Sequence, residues 1–175
     1  MKKFQGFGAV AVALLAFAGT AAHADTLWEF SYSGSGVSAS GSFETVGNGS
    51  TPTEVTSMTG TYSDGINSGS ISLVANPTPG AVATSADGLY YYDNMFGGTP
   101  SLDIDGLLFD AGTQEINLYT DPSLGLTSLT HRNGGYVYSP VSSFSVTAVP
   151  EPGSMALLLA GLGALGIASR RRRAR

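Results

Sequence analysis

From Trp28 to Ala148 this chain sustains no helical period; its apolar residues recur on alternate positions in short runs broken by turn residues. That alternation restricts the fold more than any other feature. Trp28, Phe30 and Tyr32 share one face of a strand, and Val37, Ala39, Gly41 and Phe43 share one face of the next. Further strands are expected over 54–62, 66–74, 88–96, 100–109, 115–120, 124–131, 136–139 and 142–148. Between them stand Asn48-Gly49, Asp64-Gly65, Asn76-Pro77, Asp87-Gly88, Gly97-Gly98, Asp121-Pro122 and Asn133-Gly134-Gly135, the chemistry of turns and hairpins. The expectation is an all-β fold, an antiparallel, jelly-roll-like β-sandwich of about 8–10 short strands. A solenoid would need a fixed repeat, and the sequence has none. There is no cysteine, so disulfides, thiolate metal sites and cysteine nucleophiles are excluded. A body spanning 25–149 is long enough to bury a core without staples.

Both ends differ from this body. Lys2 and Lys3 precede an apolar run from Phe7 to Ala18, and Ala22-His23-Ala24 then presents the A-x-A pattern of a secretory signal. The pattern places a signal helix in 1–24, with signal peptidase cutting between Ala24 and Asp25. An uncleaved span would need about 20 apolar residues, and this run is shorter. At the other end Val149-Pro150-Glu151-Pro152 leads into an apolar segment, Met155 to Ala168, and then Arg170, Arg171, Arg172 and Arg173. A transmembrane helix over 154–169 with its arginines held in the cytoplasm leaves the body facing outward. The segment is at the short end for a span, but arginine side chains can snorkel to the interface.

A short Pro-containing motif, a weak hydrophobic helix and a basic tail together resemble the PEP-CTERM sorting domain, also catalogued as the ice-binding protein C-terminal domain. Pro150-Glu151-Pro152 matches the signature tripeptide, Met155 to Ala168 the helix, and Arg170 to Arg173 the basic cluster. The resemblance implies recognition by an exosortase, an integral membrane transpeptidase-like enzyme of Gram-negative bacteria that often make exopolysaccharide. It implies transient anchoring in the inner membrane, then a cell-surface or extracellular destination. The expected organisation is a signal peptide (1–24), a secreted body (25–149) and a sorting signal (150–175). A last strand ending at Ala148 would run straight into that signal.

Charge narrows the partners. Of 13 acids only Glu151 lies outside the body, and of 8 basic residues only Arg132 lies inside it. So negative a surface repels phosphate backbones, and no nucleic-acid partner is expected. Gly161-Leu162-Gly163-Ala164-Leu165-Gly166 satisfies G-x-G-x-x-G but lacks the preceding strand and βαβ context of a dinucleotide site; small residues in a membrane helix explain it. Asp103, Asp105 and Asp110 gather carboxylates that suit Ca²⁺, with Asp93 and Asn94 as outlying contributors. The spacing is not an EF-hand, and strand alternation would put Leu102 and Ile104 inward and the aspartates in water.

A Ser-His-Asp site would depend on His131, the only histidine after Ala24, and no G-x-S-x-G accompanies it. Paired carboxylates for glycoside hydrolysis depend on a distance the sequence does not give. Tyr90, Tyr91, Tyr92, Trp28, Tyr136 and Tyr138 could stack on sugar rings, although adjacent tyrosines in a strand point to opposite faces. Threonines look scattered, without the array that a flat ice-matching face needs. Asn48-Gly49-Ser50 fits a glycosylation acceptor and equally a two-residue turn. The expected function is a non-enzymatic surface or matrix protein without a cofactor, with exopolysaccharide as a candidate partner. The alternative is a carbohydrate- or calcium-binding adhesion module.

Overall fold

The alternating runs fold into strands that pair antiparallel throughout. The structure is a computed structural model that describes residues 25–47, 51–99, 101–150 and 159–162. Its strands are β1 (Thr26–Gly34), β2 (Val37–Thr45), β3 (Thr53–Ser63), β4 (Ser68–Leu73), β5 (Ala83–Thr84), β6 (Tyr91–Tyr92), β7 (Met95–Phe96), β8 (Leu107–Ala111), β9 (Gln114–Asp121), β10 (Gly125–Arg132), β11 (Gly135–Pro140) and β12 (Ser143–Ala148). Ser35-Gly36 and Asn133-Gly134 both have positive φ, the type I′ geometry that lets a two-residue loop follow strand twist. They close the β1–β2 and β10–β11 hairpins.

A sandwich does not form. One sheet runs β11-β10-β9-β8-β4-β3-β2-β1-β12, with β7 on β3 and a separate β5–β6 ribbon. The sheet curls into a half-barrel, so a single layer encloses the core that two layers would have shared. The Tyr32 hydroxyl on β1 lies 3.5 Å from Ser128 Oγ on β10, although β9, β8, β4, β3 and β2 all stand between β1 and β10 along the sheet. Residues 135–148 bring the two edges together: the first half pairs with β10, the second with β1. At the joint, Val141 N–H donates to Leu126 O (2.8 Å) and Ser142 N–H to Ser33 O (2.9 Å). Gly41 and Gly60 face each other across β2 and β3. A Cβ on Gly41 would lie 2.6 Å from Gly60 Cα, so only glycine permits this close approach and bend.

The curl encloses Phe30, Tyr32, Val37, Phe43, Val55, Met58, Tyr62, Phe109, Ile116 and Leu118. Each large side chain contributes about 1.5–3 kcal/mol on burial. Phe43 is central, its ring 4.8 Å from Phe96, 6.0 Å from Phe30 and 6.2 Å from Trp28. On the outer side of β8–β10 the 74–96 segment folds back, burying Tyr90 and Tyr92 against Leu108 in a second, small core. Asn94 fastens it: its Oδ1 accepts from Leu108 N–H (3.0 Å) and its Nδ2 donates to Val74 O (2.8 Å).

Two expected strands fail here. Residues 88–96 yield only the short β6 and β7, and 100–109 shrink to β8. Asp103 Oδ1 accepts from the N–H groups of Asp105 and Gly106, both at 3.0 Å, turning the chain before a strand can start. Leu102 is buried as expected, but Ile104 is 59% exposed, because the two do not share a strand face.

The outer face of β12-β1-β2-β3-β4 carries rows of hydroxyls that cross-strand register places side by side. Ser145, Ser31, Ser40, Thr61 and Ser70 form one row; Ser143, Ser33, Ser38, Ser63 and Ser68 form the next. A third holds Thr147, Glu29, Ser42, Thr59 and Ser72. Thr59, Thr61 and Thr147 are the threonines in these rows, and serines supply the other hydroxyls.

Candidate functional site

Three constellations follow from this fold: the strand end at Pro150, a group of acids on the 93–105 loops, and a cleft of tyrosines at β9–β11.

β12 keeps its ladder to β1 as far as Val149, whose N–H donates to Leu27 O (2.8 Å). Pro150 has no N–H to extend the ladder, so among the described residues the ladder ends at Val149, directly before Pro150. Ala22, Ala24, Glu151, Pro152 and Arg170 to Arg173 lie outside the described residues, as do the signal helix and the Asn48-Gly49-Ser50 acceptor. Of the expected 154–169 helix only 159–162 is described; it is helical, and Leu159 and Leu162 are exposed. Among the described residues no helix is long and apolar enough to cross a membrane.

Residues 148–173 match the profile of the PEP-CTERM protein-sorting motif. The chain carries a PEP-CTERM sorting motif. The PEP-CTERM match begins at Ala148, the last residue of β12, and it implies an exported protein handled by exosortase. No curated protein and no solved structure matches the chain.

The acids converge differently from the sequence expectation. Asp93, Asp103 and Asp105 place carboxylate oxygens within 4.8 Å of one another. Asp110 is not among them: it stands exposed on β8, opposite Ser72 and Glu115. Asp93 joins because Asn94, at φ 57°, turns the chain there and inserts beneath β8. Burial, with the neighbouring Asp103 and Asp105 adding to it, pushes the Asp93 carboxyl up to about 6, against the Met95 N–H that favours its ionised form. Burial, then Asp103, raises Asp105 as well. Such a group relaxes either by taking up a proton or by gathering around a hard cation.

The tyrosines divide by face. Tyr90 and Tyr92 are 3% and 2% exposed, and Tyr91 between them is 65% exposed, as strand alternation requires. Trp28 does not join them: it sits at the rim of the main core, stacked on Phe43, its Nε1–H donating to Thr45 Oγ1 (2.9 Å). Tyr136 and Tyr138 leave β11 on one face with ring centroids 6.4 Å apart. With Tyr91, Tyr119, Ile104 and Asn117 they line a cleft of about 180 Å³. His131 packs edge-on to Tyr136 at 5.3 Å, so its ring serves this aromatic cluster. Arg132 is bound to Asp64, which also accepts from Gln114 Nε2 (3.0 Å).

Proposed function

We propose that this is a non-enzymatic protein of the cell surface or extracellular matrix, associated with exopolysaccharide or biofilm. Signal peptidase removes 1–24 after Ala24, and the inner membrane then holds the chain by residues 154–169, with Arg170 to Arg173 in the cytoplasm. Exosortase acts at Val149-Pro150-Glu151-Pro152. The observation that carries this reading is the sorting-motif match at 148–173, joined to a sheet whose last hydrogen bond among the described residues is at Val149. A motif placed at the end of the sheet reaches a membrane enzyme without unfolding the body. His131, the histidine a hydrolase would need, is engaged in aromatic packing, which favours a non-catalytic role. In host cells the reading predicts a protease-accessible surface protein when exosortase is present and retention in the inner membrane when it is deleted. Equal surface display in both strains would refute it.

A second reading, a carbohydrate- or calcium-binding adhesion module, is favoured by the convergence of Asp93, Asp103 and Asp105. Oxygen ligands from three carboxylates suit Ca²⁺. Any ligand that binds only the folded state raises the melting temperature; millimolar CaCl₂ is expected to do so reversibly with EDTA, and no shift would count against the calcium form.

A further inference from the structure

We propose that the tyrosine cleft between β9, β10 and β11 binds one uncharged pyranose ring of a polysaccharide, with Asn117 Oδ1 as the hydrogen-bond acceptor at its base. The proposal deepens the adhesion reading above and rests on it.

Asn117 supplies the decisive observation. It is 4% exposed, on β9, and lines the cleft. Its Nδ2 donates to Tyr91 O (2.7 Å) and Asp105 O (2.9 Å). Both neighbours are carbonyls, so the amide cannot be turned round without losing both bonds. Its Oδ1 is thereby fixed in place, buried, and without a protein partner. An unpaired buried acceptor is costly; Oδ1 is sealed from solvent in this structure, so a ligand hydroxyl reaches it only as the side chains around it part, and that contact removes the cost.

The walls select what carries the hydroxyl. Tyr91 and Tyr138 are 65% and 51% exposed, and aromatic faces left bare in this way mark contact surfaces. The Tyr136 ring is held by its hydroxyl, which donates to Leu89 O (2.6 Å), and by edge contacts to Tyr90 and His131. A ring already fixed costs little entropy to use. Arg132, the single Lys or Arg between Asp25 and Pro150, is engaged by Asp64. The site therefore offers no free lysine or arginine to a phosphate, sulfate or uronate. About 180 Å³ is below the ~300 Å³ at which drug-sized pockets begin, a size that suits a single ring. An uncharged group of that size with C–H faces and hydroxyl edges is a neutral pyranose.

The test is affinity electrophoresis of the full chain in mild detergent, through gels containing laminarin, dextran or galactomannan, with alginate as the charged comparison. At least one neutral polysaccharide is expected to retard the protein and perturb the tyrosine absorption band. Tyr91→Ala and Tyr138→Ala, both exposed and so expected to melt like the wild type, should each weaken retardation roughly three- to tenfold. Equal retardation of wild type and both variants would overturn the cleft while leaving the adhesion reading in place. Retardation by alginate alone would overturn the neutral-ring assignment. Passage through every gel unretarded would overturn both the cleft and the carbohydrate form of that reading.

Discussion

Asp64 ties the two halves of the curled sheet together, and replacing it with asparagine tests the closure. It sits in the β3–β4 turn, where its Oδ1 accepts from Ile66 N–H (2.9 Å) and Asn67 N–H (2.7 Å). Its Oδ2 accepts from Gln114 on β9 and Arg132 on β10. The Asp64 side chain is 1% exposed and that of Arg132 21%. An asparagine side chain would keep the turn but set an NH₂ against two donors and leave a largely buried guanidinium unpaired. Breaking a buried pair costs about 3–5 kcal/mol and losing a charged hydrogen bond about 1.5–3. With Arg132 partly solvated, about 2–4 kcal/mol is expected for Asp64→Asn, roughly a 10 °C fall in melting temperature for a body of this size.

The pH dependence gives a second reading of the same bond. Burial alone would raise the Asp64 carboxyl, but hydrogen bonds from Asn67, Gln114 and Ile66, with the Arg132 charge, outweigh it and hold it below the usual range. The stability it contributes is present above about pH 4 and is lost as pH falls through its lowered value. Melts followed by circular dichroism at pH 7 and near pH 2.5 should therefore show a large gap between wild type and Asp64→Asn that narrows in acid. Arg132→Met should cost a similar amount, and the double variant little more than either. A gap under about 2 °C at pH 7, or one unchanged in acid, would refute the closure argument.

Other substitutions probe the remaining parts. Phe43→Ala, which removes a 2% exposed ring touching three other aromatics, should cost about 3–5 kcal/mol in chemical denaturation; a loss under about 1 would contradict the core assignment. Asp93 is raised in the folded state, so its contribution is greatest below about pH 4 and declines as pH rises through about 6. In EDTA the wild type should lose stability over that window, and Asp93→Asn should flatten the loss; a wild-type melting temperature constant from pH 4 to 7 would contradict the burial argument. Gly41→Ala, which sets a methyl against the β3 backbone, should lower secretion yield and melting temperature, whereas the hydroxyl-face variant Ser40→Ala should change neither beyond about 0.5 kcal/mol.

The strands that alternate cleanly were readable from sequence: 28–32 and 37–43 lie within β1 and β2, and the last four runs within or on β9 to β12. Alternation states which face is buried but not which strands pair. The β4–β8 contact spans the 74–106 segment, so a curled single sheet and a two-layer sandwich give the same local pattern. The 88–109 stretch misled because its aromatics and leucines alternate while Asn94, Asp103 and Gly106 turn the chain between them. The same turns bring Asp93 to Asp103 and leave Asp110 outside, a proximity no spacing could reveal. The serine rows were hidden for a related reason: hydroxyls that neighbour each other across five strands are scattered along the sequence. The sorting motif was legible because its residues act in linear order, tripeptide, apolar segment and arginines, without needing a fold to assemble them.

The central claim is that the chain is exported and then cut at its C-terminal motif, and the intact mass of the protein recovered from its host, with and without exosortase, tests it most directly. The account predicts a species that begins at Asp25 and ends between Pro150 and Gly153 only in the strain that has the enzyme, with any added mass at that end reporting an attachment. A species that retains Arg175 in both strains would contradict it.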